Sequence, residues 1–405
     1  MKQPSHGGNL TWAARLAGCS PQDLLDFSAS INPLGIPQTA IAAIQSHLAD
    51  LRAYPDPNYE ELRQALGQHH GIGPEWICPG NGSAELLTWV SRELAQLDQT
   101  RLLTPAFGDY GRSLRAFGAT IVPCLLSDLD AYPAGFGANF GNHPPDAPRC
   151  RAVVLPELSP LARFTRPINR QNRPPQPLPS TEEPPQNANP PTWGILLNNP
   201  HNPTGRLFAA ASILPYLEQC DLVVVDEAFM DFLPPDQQQS LIPQVMTHAN
   251  LVVLRSLTKF YSLPGLRIGY AITHPDRIQR WQQWRDPWSV NTLAAVAAIA
   301  VLQDHDFQRA TYDWLPPARS QLFAGLQRLS GLQPLPGAAN YLLVACQPSA
   351  VALQHSLLKA HRILIRDCVS FPELGDRFFR VAVRTAADHQ QLLTGLAAIL
   401  GNHDR

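Results

Sequence analysis

The sequence predicts an α/β fold, a mainly parallel sheet sandwiched by helices, with a smaller α+β domain after it. Three observations predict it. The apolar runs at 195–197, 222–225 and 251–254 are continuous rather than alternating, as in strands buried on both faces. Each run stops at polar residues, Asn198, Asp226 and Arg255-Ser256, and ligands of open α/β sheets bind outside such strand ends. From residue 303 onward, helical and strand-like segments alternate. A chain of 405 residues is long enough for two sizeable cores. The expected division is an N-terminal arm, 1–36, belonging with the small domain, a large domain over 37–290, and a small C-terminal domain over 291–405.

Composition narrows the function classes. A formal charge of −2 leaves no basic excess of the kind nucleic acid requires. The longest strongly apolar stretch, 293–302, is too short for a bilayer. Met1-Lys-Gln-Pro-Ser-His6 lacks the apolar core of a signal peptide. The seven cysteines include no Cys-x-x-Cys pair, which argues against zinc and against a disulfide framework. The expectation is a cytoplasmic protein with no metal, no membrane partner and no nucleic acid.

The arm contains Ser5-His-Gly-Gly-Asn9 and Asp26-Phe-Ser-Ala-Ser-Ile-Asn-Pro-Leu-Gly35. His6 and Gly7 offer an imidazole beside bare backbone amides, either an anion cradle or a plain glycine-rich arm. Residues 40–51 and 59–69 have helical spacing, joined by the proline-set loop Arg52-Ala-Tyr54-Pro-Asp-Pro-Asn58. Asn81-Gly82-Ser83 leads into a helix running to about 97. Amides there suit a phosphate, or serve only as a cap. A strand then ends at Thr104-Pro, and Phe107 either lies flat on a cofactor ring or fills core.

From 127 to 192 the pattern dissolves. Residues 160–191 carry ten prolines, including three Pro-Pro pairs, and read as an extended or disordered surface insertion (about 157–192). A short strand is expected before it at 152–155. Order returns at Gly194-Ile-Leu-Leu-Asn-Asn-Pro-His-Asn202-Pro-Thr-Gly205, a buried strand and a tight turn that aims Asn202 at the strand ends. Asp221-Leu-Val-Val-Val-Asp226 repeats the scheme. Asp226 either pairs with a protonated pyridine nitrogen or caps a helix.

The segment Leu254-Arg-Ser-Leu-Thr-Lys259 is the sharpest signal. Lys259 is one of only three lysines and falls in the loop at a strand's carboxyl end. An amine so placed can form a Schiff base. Ser256 and Thr258 flank it and Arg267 follows eight residues later, a donor set for phosphate. Aldehyde and phosphate together describe pyridoxal phosphate. Residues 291–302 read as a helix, and Pro316-Pro317 should kink or break the helix around it. Arg366 and Arg380, near strand-like runs, are candidates for a doubly anionic substrate.

The motifs Asn-Asn-Pro-His-Asn-Pro-Thr-Gly, Val-Asp-Glu-Ala-Phe and Ser-Leu-Thr-Lys-Phe-Tyr-Ser-Leu-Pro-Gly-Leu-Arg-Ile-Gly resemble the fold-type I pyridoxal-phosphate enzymes, in their histidinol-phosphate aminotransferase branch. His6-Gly-Gly-Asn-Leu, Asp26-Phe-Ser-Ala-Ser-Ile-Asn-Pro-Leu-Gly, Pro287-Trp-Ser-Val-Asn291 and Phe379-Arg-Val-Ala-Val-Arg384 are similar to the threonine-phosphate decarboxylases of cobalamin synthesis. The resemblance implies that Lys259 anchors the cofactor and moves protons, Asp226 pairs with its ring nitrogen, Asn202 contacts its ring oxygen and Phe107 stacks on it. It implies that Ser256, Arg267, Gly82 and Ser83 hold its phosphate, with Tyr54 reaching in from the second subunit of a homodimer. His6, Gly7, Ser30, Asn202, Arg366 and Arg380 would take a small phosphorylated amino acid.

Two residues depart from the families' patterns, and of these Phe229, together with the His6-Gly-Gly arm, leans against the aminotransferase reading. Ser30 stands where the decarboxylases carry Asn, which weakens or reroutes one substrate contact. Phe229 stands where the aminotransferases carry Tyr, and the decarboxylases also show Phe. The implied activity is decarboxylation of O-phospho-L-threonine. The alternatives are histidinol-phosphate transamination with 2-oxoglutarate, or the same fold used as a binding module.

Overall fold

The structure, a computed structural model, describes residues 6–126 and 191–401. The strand expected at 152–155 and nearly all of the proline-rich insertion lie outside the described residues. In chain order the strands are β1 (Leu25–Asp26), β2 (Ile77–Asn81), β3 (Gln99–Thr104), β4 (Ile121–Leu125), β5 (Trp193–Asn198), β6 (Leu222–Asp226), β7 (Leu251–Ser256), β8 (Ile268–Thr273), β9 (Leu332–Pro334), β10 (Tyr341–Cys346), β11 (Ile363–Leu364), β12 (Arg366–Asp367) and β13 (Phe378–Ala382). The helices are α1 (Leu10–Ala17), α2 (Gln38–Ser46), α3 (Glu60–His70), α4 (Gly82–Leu94), α5 (Gly108–Ala116), α6 (Ala210–Leu217), α7 (Leu257–Phe260), α8 (Pro275–Gln282), α9 (Thr292–Leu302), α10 (His305–Gln327), α11 (Ala350–His361) and α12 (Ala386–Leu400).

The large sheet runs β2-β8-β7-β6-β5-β3-β4. Every pairing in it is parallel except the two made by β8. Alternation explains why its central strands are apolar throughout. Val223, Val225, Leu251 and Val253 enter the core on one face, and Leu222, Val224, Val252 and Leu254 enter the core on the other. Each such side chain contributes about 2 kcal/mol on burial. Among the described residues no helix is long and apolar enough to cross a membrane.

The second sheet is antiparallel, in the order β12-β13-β10-β9. The arm joins this half of the chain, because β1 pairs in parallel with β11. Helix ends follow the capping signals: Asn9, Asn291, Asp304, Ser349 and Thr385 each accept a backbone N–H of the first turn.

Two expectations are corrected here. The Pro316-Pro317 pair neither breaks nor ends its helix, for α10 runs unbroken over 23 residues. Both prolines lie on its exposed face, while Thr311, Leu315, Leu322 and Leu326 pack inward. Water can therefore serve the carbonyls that lose their N–H partners, and the buried face holds the helix together. Lys259 stands in the one-turn helix α7 rather than in a loop.

Candidate active site

The sheet topology gathers the site. The parallel strands β3, β5, β6 and β7 all end at one edge. There the chain delivers Phe107, Asn198 with Asn202, Asp226, and Ser256 with Lys259. β8 runs the other way, so its beginning lies at that same edge. Arg267, the residue before it, faces the start of α4, because Asn81 is the register partner of Ile268. A cavity of about 250 Å³ opens there, lined by all of these side chains and by residues of the arm and the second sheet.

Asp226 and Lys259 share this cavity. Asp226 Oδ2 accepts the Tyr110 hydroxyl at 2.8 Å, and Oδ1 accepts the Ala228 N–H at 2.9 Å. Burial raises the Asp226 pKa; the two hydrogen bonds and the Lys259 charge oppose that rise. Lys259 is pulled down to about 8, first by burial and then by the Arg267 and Arg380 charges, against the attraction of Asp226. A far larger share of its amine than of an ordinary lysine's is therefore neutral near physiological pH, where it can act as a nucleophile. Tyr110 goes well above its usual value, through burial and the Asp226 charge, and remains a neutral donor.

One end of the cavity is built for a phosphate. The N-terminus of α4 meets it at Ser83 and Ala84, while Ser256, Thr258 and Arg267 close the other sides. Ser256 Oγ and Thr258 Oγ1 lie 2.8 Å apart. Gly82 has φ 70°, and a Cβ there would overlap the Arg267 guanidinium, so glycine lets cation and helix start approach. Helix N-terminus, paired hydroxyls and a forked cation make up a phosphate-binding donor set. Asn198 Oδ1 and Ser30 Oγ are buried on the cavity wall and have no hydrogen-bond partner among the described residues. These features fit pyridoxal phosphate: the donor set at α4 suits its phosphate, and Phe107 and Asp226 offer an aromatic face and a carboxylate that its ring could use.

The opposite wall is cationic. Arg366 and Arg380 are register partners across β12 and β13. Arg366 Nη2 donates to Ser370 Oγ at 2.5 Å, and Arg380 Nη1 donates to Asn202 Oδ1 at 2.5 Å. The Arg380 guanidinium also lies 4.6 Å from the Tyr341 ring centroid. His6 and Gly7 reach the mouth from the arm, the His6 ring 5.6 Å from that of Phe107. Phe229 packs edge-on to Tyr341 at 5.0 Å and forms part of the floor.

Of the residues singled out in the sequence, His6, Gly7, Ser30, Ser83, Phe107, Asn202, Asp226, Ser256, Lys259, Arg267, Arg366 and Arg380 line this one cavity. Gly82 stands behind Ser83 against Arg267. Tyr54 is outside the cavity of its own chain, 79% exposed and stacked on Trp288 at 4.6 Å. Sequence reasoning missed Tyr110, Asn198, Ser28, Asp109 and Ser370. The signal available for Tyr110 was its place one helical turn beyond Phe107.

Comparison with known proteins follows the same outline. Residues 176–399 match the family model of aminotransferase class I and II. The chain is 35% identical to a threonine-phosphate decarboxylase of Salmonella typhimurium, over 98% of this chain and 96% of that protein. Its fold superposes with a TM-score of 0.71 on an L-threonine-O-3-phosphate decarboxylase from Porphyromonas gingivalis, at 21% identity, covering 93% of this chain and 99% of that one. It superposes with a TM-score of 0.73 on a histidinol-phosphate aminotransferase from Sinorhizobium meliloti solved with pyridoxal-5'-phosphate, at 21% identity and full coverage of both chains. At these identities the two solved structures speak for the fold.

Proposed function

This chain belongs to the aminotransferase class I and II family, and from that premise we propose that it decarboxylates O-phospho-L-threonine to (R)-1-amino-2-propanol O-2-phosphate for cobalamin synthesis. It is an enzyme, and its cofactor is pyridoxal phosphate. The similarity to the Salmonella decarboxylase along almost the whole of both chains supports the activity. The observation that carries the substrate class is the pair Arg366 and Arg380, set side by side in one cavity with Lys259. Two forked cations suit a molecule carrying both a carboxylate and a phosphate.

When bound, pyridoxal phosphate supplies an electron sink for the pair left at the substrate α-carbon as carbon dioxide departs. Gly82, Ser83, Ser256 and Arg267 would hold its phosphate, Phe107 its face, Asn202 its ring oxygen and Asp226 its ring nitrogen. Asp226 must be ionised for that role, and the Tyr110 and Ala228 hydrogen bonds favour its ionised form. Lys259 would be the covalent anchor. With a pKa of about 8, its amine can also hand a proton to the α-carbon near neutral pH. Arg366, Arg380, His6 and Gly7 would bind the substrate's two anionic groups, with Ser30 lining the wall beside them. Their placement would decide which α-carbon bond stands across the ring and so is broken. Tyr54 of the partner subunit would complete the phosphate site in a cytoplasmic homodimer.

The test is direct. Purified enzyme supplied with pyridoxal phosphate should release carbon dioxide from phosphothreonine with no 2-oxo acid present. A strict requirement for 2-oxoglutarate, with turnover of histidinol phosphate, would overturn the proposal in favour of transamination.

A further inference from the structure

The arm reaches the cavity through contacts that the proposed chemistry leaves without a role. Gly7 packs so closely on Ser28 that a Cβ would overlap the Ser28 carbonyl oxygen. The Gly8 N–H, at a φ of 77°, donates to Ser28 Oγ at 2.7 Å. That hydroxyl donates in turn to Asp26 Oδ1 at 2.6 Å, and the same oxygen accepts the Ser28 N–H at 2.7 Å. Asp26 is itself fixed. It ends β1 opposite Leu364, and Arg384 Nη1 donates to its carbonyl oxygen at 3.1 Å. At the far end of the arm, His6 Nε2 lies 3.5 Å from Asp109 Oδ1, beside Phe107. The arm thus spans from the strand pair next to Arg366 to the wall that carries Phe107.

We propose that Ser28 and Asp26 are positioning residues, whose relay from Gly8 clamps the arm so that His6 is held at the cavity mouth and substrate affinity is set there. The identity of the substrate rests on the phosphothreonine reading; the clamp itself does not. A pair of glycines loses much conformational freedom when it is ordered, so an unclamped arm would sample many positions. Hydrogen bonds that end on an acceptor oxygen fixed in the fold offset that loss. Larger side chains are barred from position 7 by the Ser28 carbonyl and disfavoured at position 8 by its φ, so the relay supplies the order that the glycines cannot.

The test uses the holoenzyme with Ser28→Ala, Asp26→Ala and Asp26→Asn. An amide oxygen can accept both Ser28 hydrogens, so Asp26→Asn should preserve the clamp. Ser28→Ala and Asp26→Ala should speed hydrogen exchange at the Gly8 amide. They should also raise KM for phosphothreonine about tenfold, the worth of one such hydrogen bond, with kcat changed by no more than about twofold. Asp26→Asn should match the wild type in both readouts, and the visible absorbance of the bound cofactor should be the same in all. Unchanged Gly8 exchange in Ser28→Ala would overturn the clamp, as would faster exchange with no loss of affinity. If Asp26→Ala does not fold, Ser28→Ala and Asp26→Asn still decide. If the wild type releases no carbon dioxide from phosphothreonine, the proposed function falls. The clamp is then supported or overturned by Gly8 exchange together with the dissociation constant for inorganic phosphate.

Discussion

Tyr110 donates its hydroxyl hydrogen to Asp226 Oδ2 at 2.8 Å, from a helix that begins at the neighbouring strand end. Both side chains are buried, and burial works against the carboxylate's charge. Two hydrogen bonds and the Lys259 charge oppose it. Tyr110→Phe removes the largest of those three opposing contributions, so the Asp226 pKa should rise. The acid limb of the kcat/KM profile should then move to higher pH. Cofactor affinity should fall about tenfold or more, since hydrogen bonds to charged groups are worth about 1.5–3 kcal/mol. Titration of pyridoxal phosphate followed by visible absorbance, with a pH–rate profile, checks both. An unmoved acid limb would mean that Asp226 does not depend on Tyr110.

Lys259 is held below its ordinary pKa of 10.5, at about 8, so the folded, cofactor-free protein binds its proton less readily than the unfolded chain. Between those two pH values the unfolded state carries more protons, and stability should climb as pH rises through that window. Below about pH 8 the full penalty applies. Lys259→Met, of similar length and without the charge, should stabilise the cofactor-free protein at pH 7 by about 2–3 kcal/mol and lose most of that advantage by pH 10. Urea denaturation at the two pH values measures it. Equal stabilisation at both would place the origin in packing rather than in the buried charge. The same variant should lose the visible band of the bound cofactor and all turnover.

Arg366 and Arg380 face the cavity from adjacent strands, each with its own tie, to Ser370 and to Asn202. If one takes carboxylate and the other phosphate, the two single variants will differ in kind. Replacing either with Lys keeps the charge and loses the fork, so KM for phosphothreonine should rise about 10–100-fold in both. Only the variant at the phosphate position should lose its preference for phosphothreonine over threonine. Competition between the two amino acids, assayed in each variant, assigns the roles. Equal loss of preference in both would show a shared contact instead.

Much of this was legible because chemistry and topology coincide at strand ends. Runs such as Leu222 to Val225 announce a strand buried on both faces, and the polar residue that stops the run is placed at the ligand edge by that fact alone. Lys259, Asp226, Asn202 and Phe107 could be read this way. Tyr110 could not, since its role depends on how α5 turns its side chain back toward a residue 116 positions away. The pairing of Arg366 with Arg380 was equally hidden. β12 is two residues long and has no pattern of its own, and its register is fixed only when β13 lies beside it. The Pro316-Pro317 expectation failed for a related reason. Local propensity counts the lost hydrogen bonds, whereas the outcome turned on which face of α10 the rings occupy, and that is set by tertiary packing. Tyr54 is read in sequence as a contact across subunits, and a single chain leaves it exposed.

Gly82 gives the most local prediction. Its φ of 70° lies in the left-handed region, where an alanine costs about 1 kcal/mol. The added Cβ would also overlap the Arg267 guanidinium, which cannot retreat freely because Arg267 is itself at a φ of 56° and its Nη1 donates to the Pro264 carbonyl at 3.1 Å. Gly82→Ala should therefore act twice. The melting temperature should fall by a few degrees, at about 2–4 °C per kcal/mol lost for a chain of this size or somewhat less. Affinity for pyridoxal phosphate should weaken about tenfold or more, because the guanidinium is pushed off the phosphate corner. Ser83→Ala is the control, since it keeps the backbone and removes only a hydroxyl, and its melting temperature should stay near that of the wild type. Calorimetry without the cofactor, followed by titration with it, separates the two effects. If Gly82→Ala lowered stability yet bound the cofactor as tightly as the wild type, Arg267 would not be the phosphate's partner, and the corner beside α4 would have to be assigned to the hydroxyls and helix amides alone.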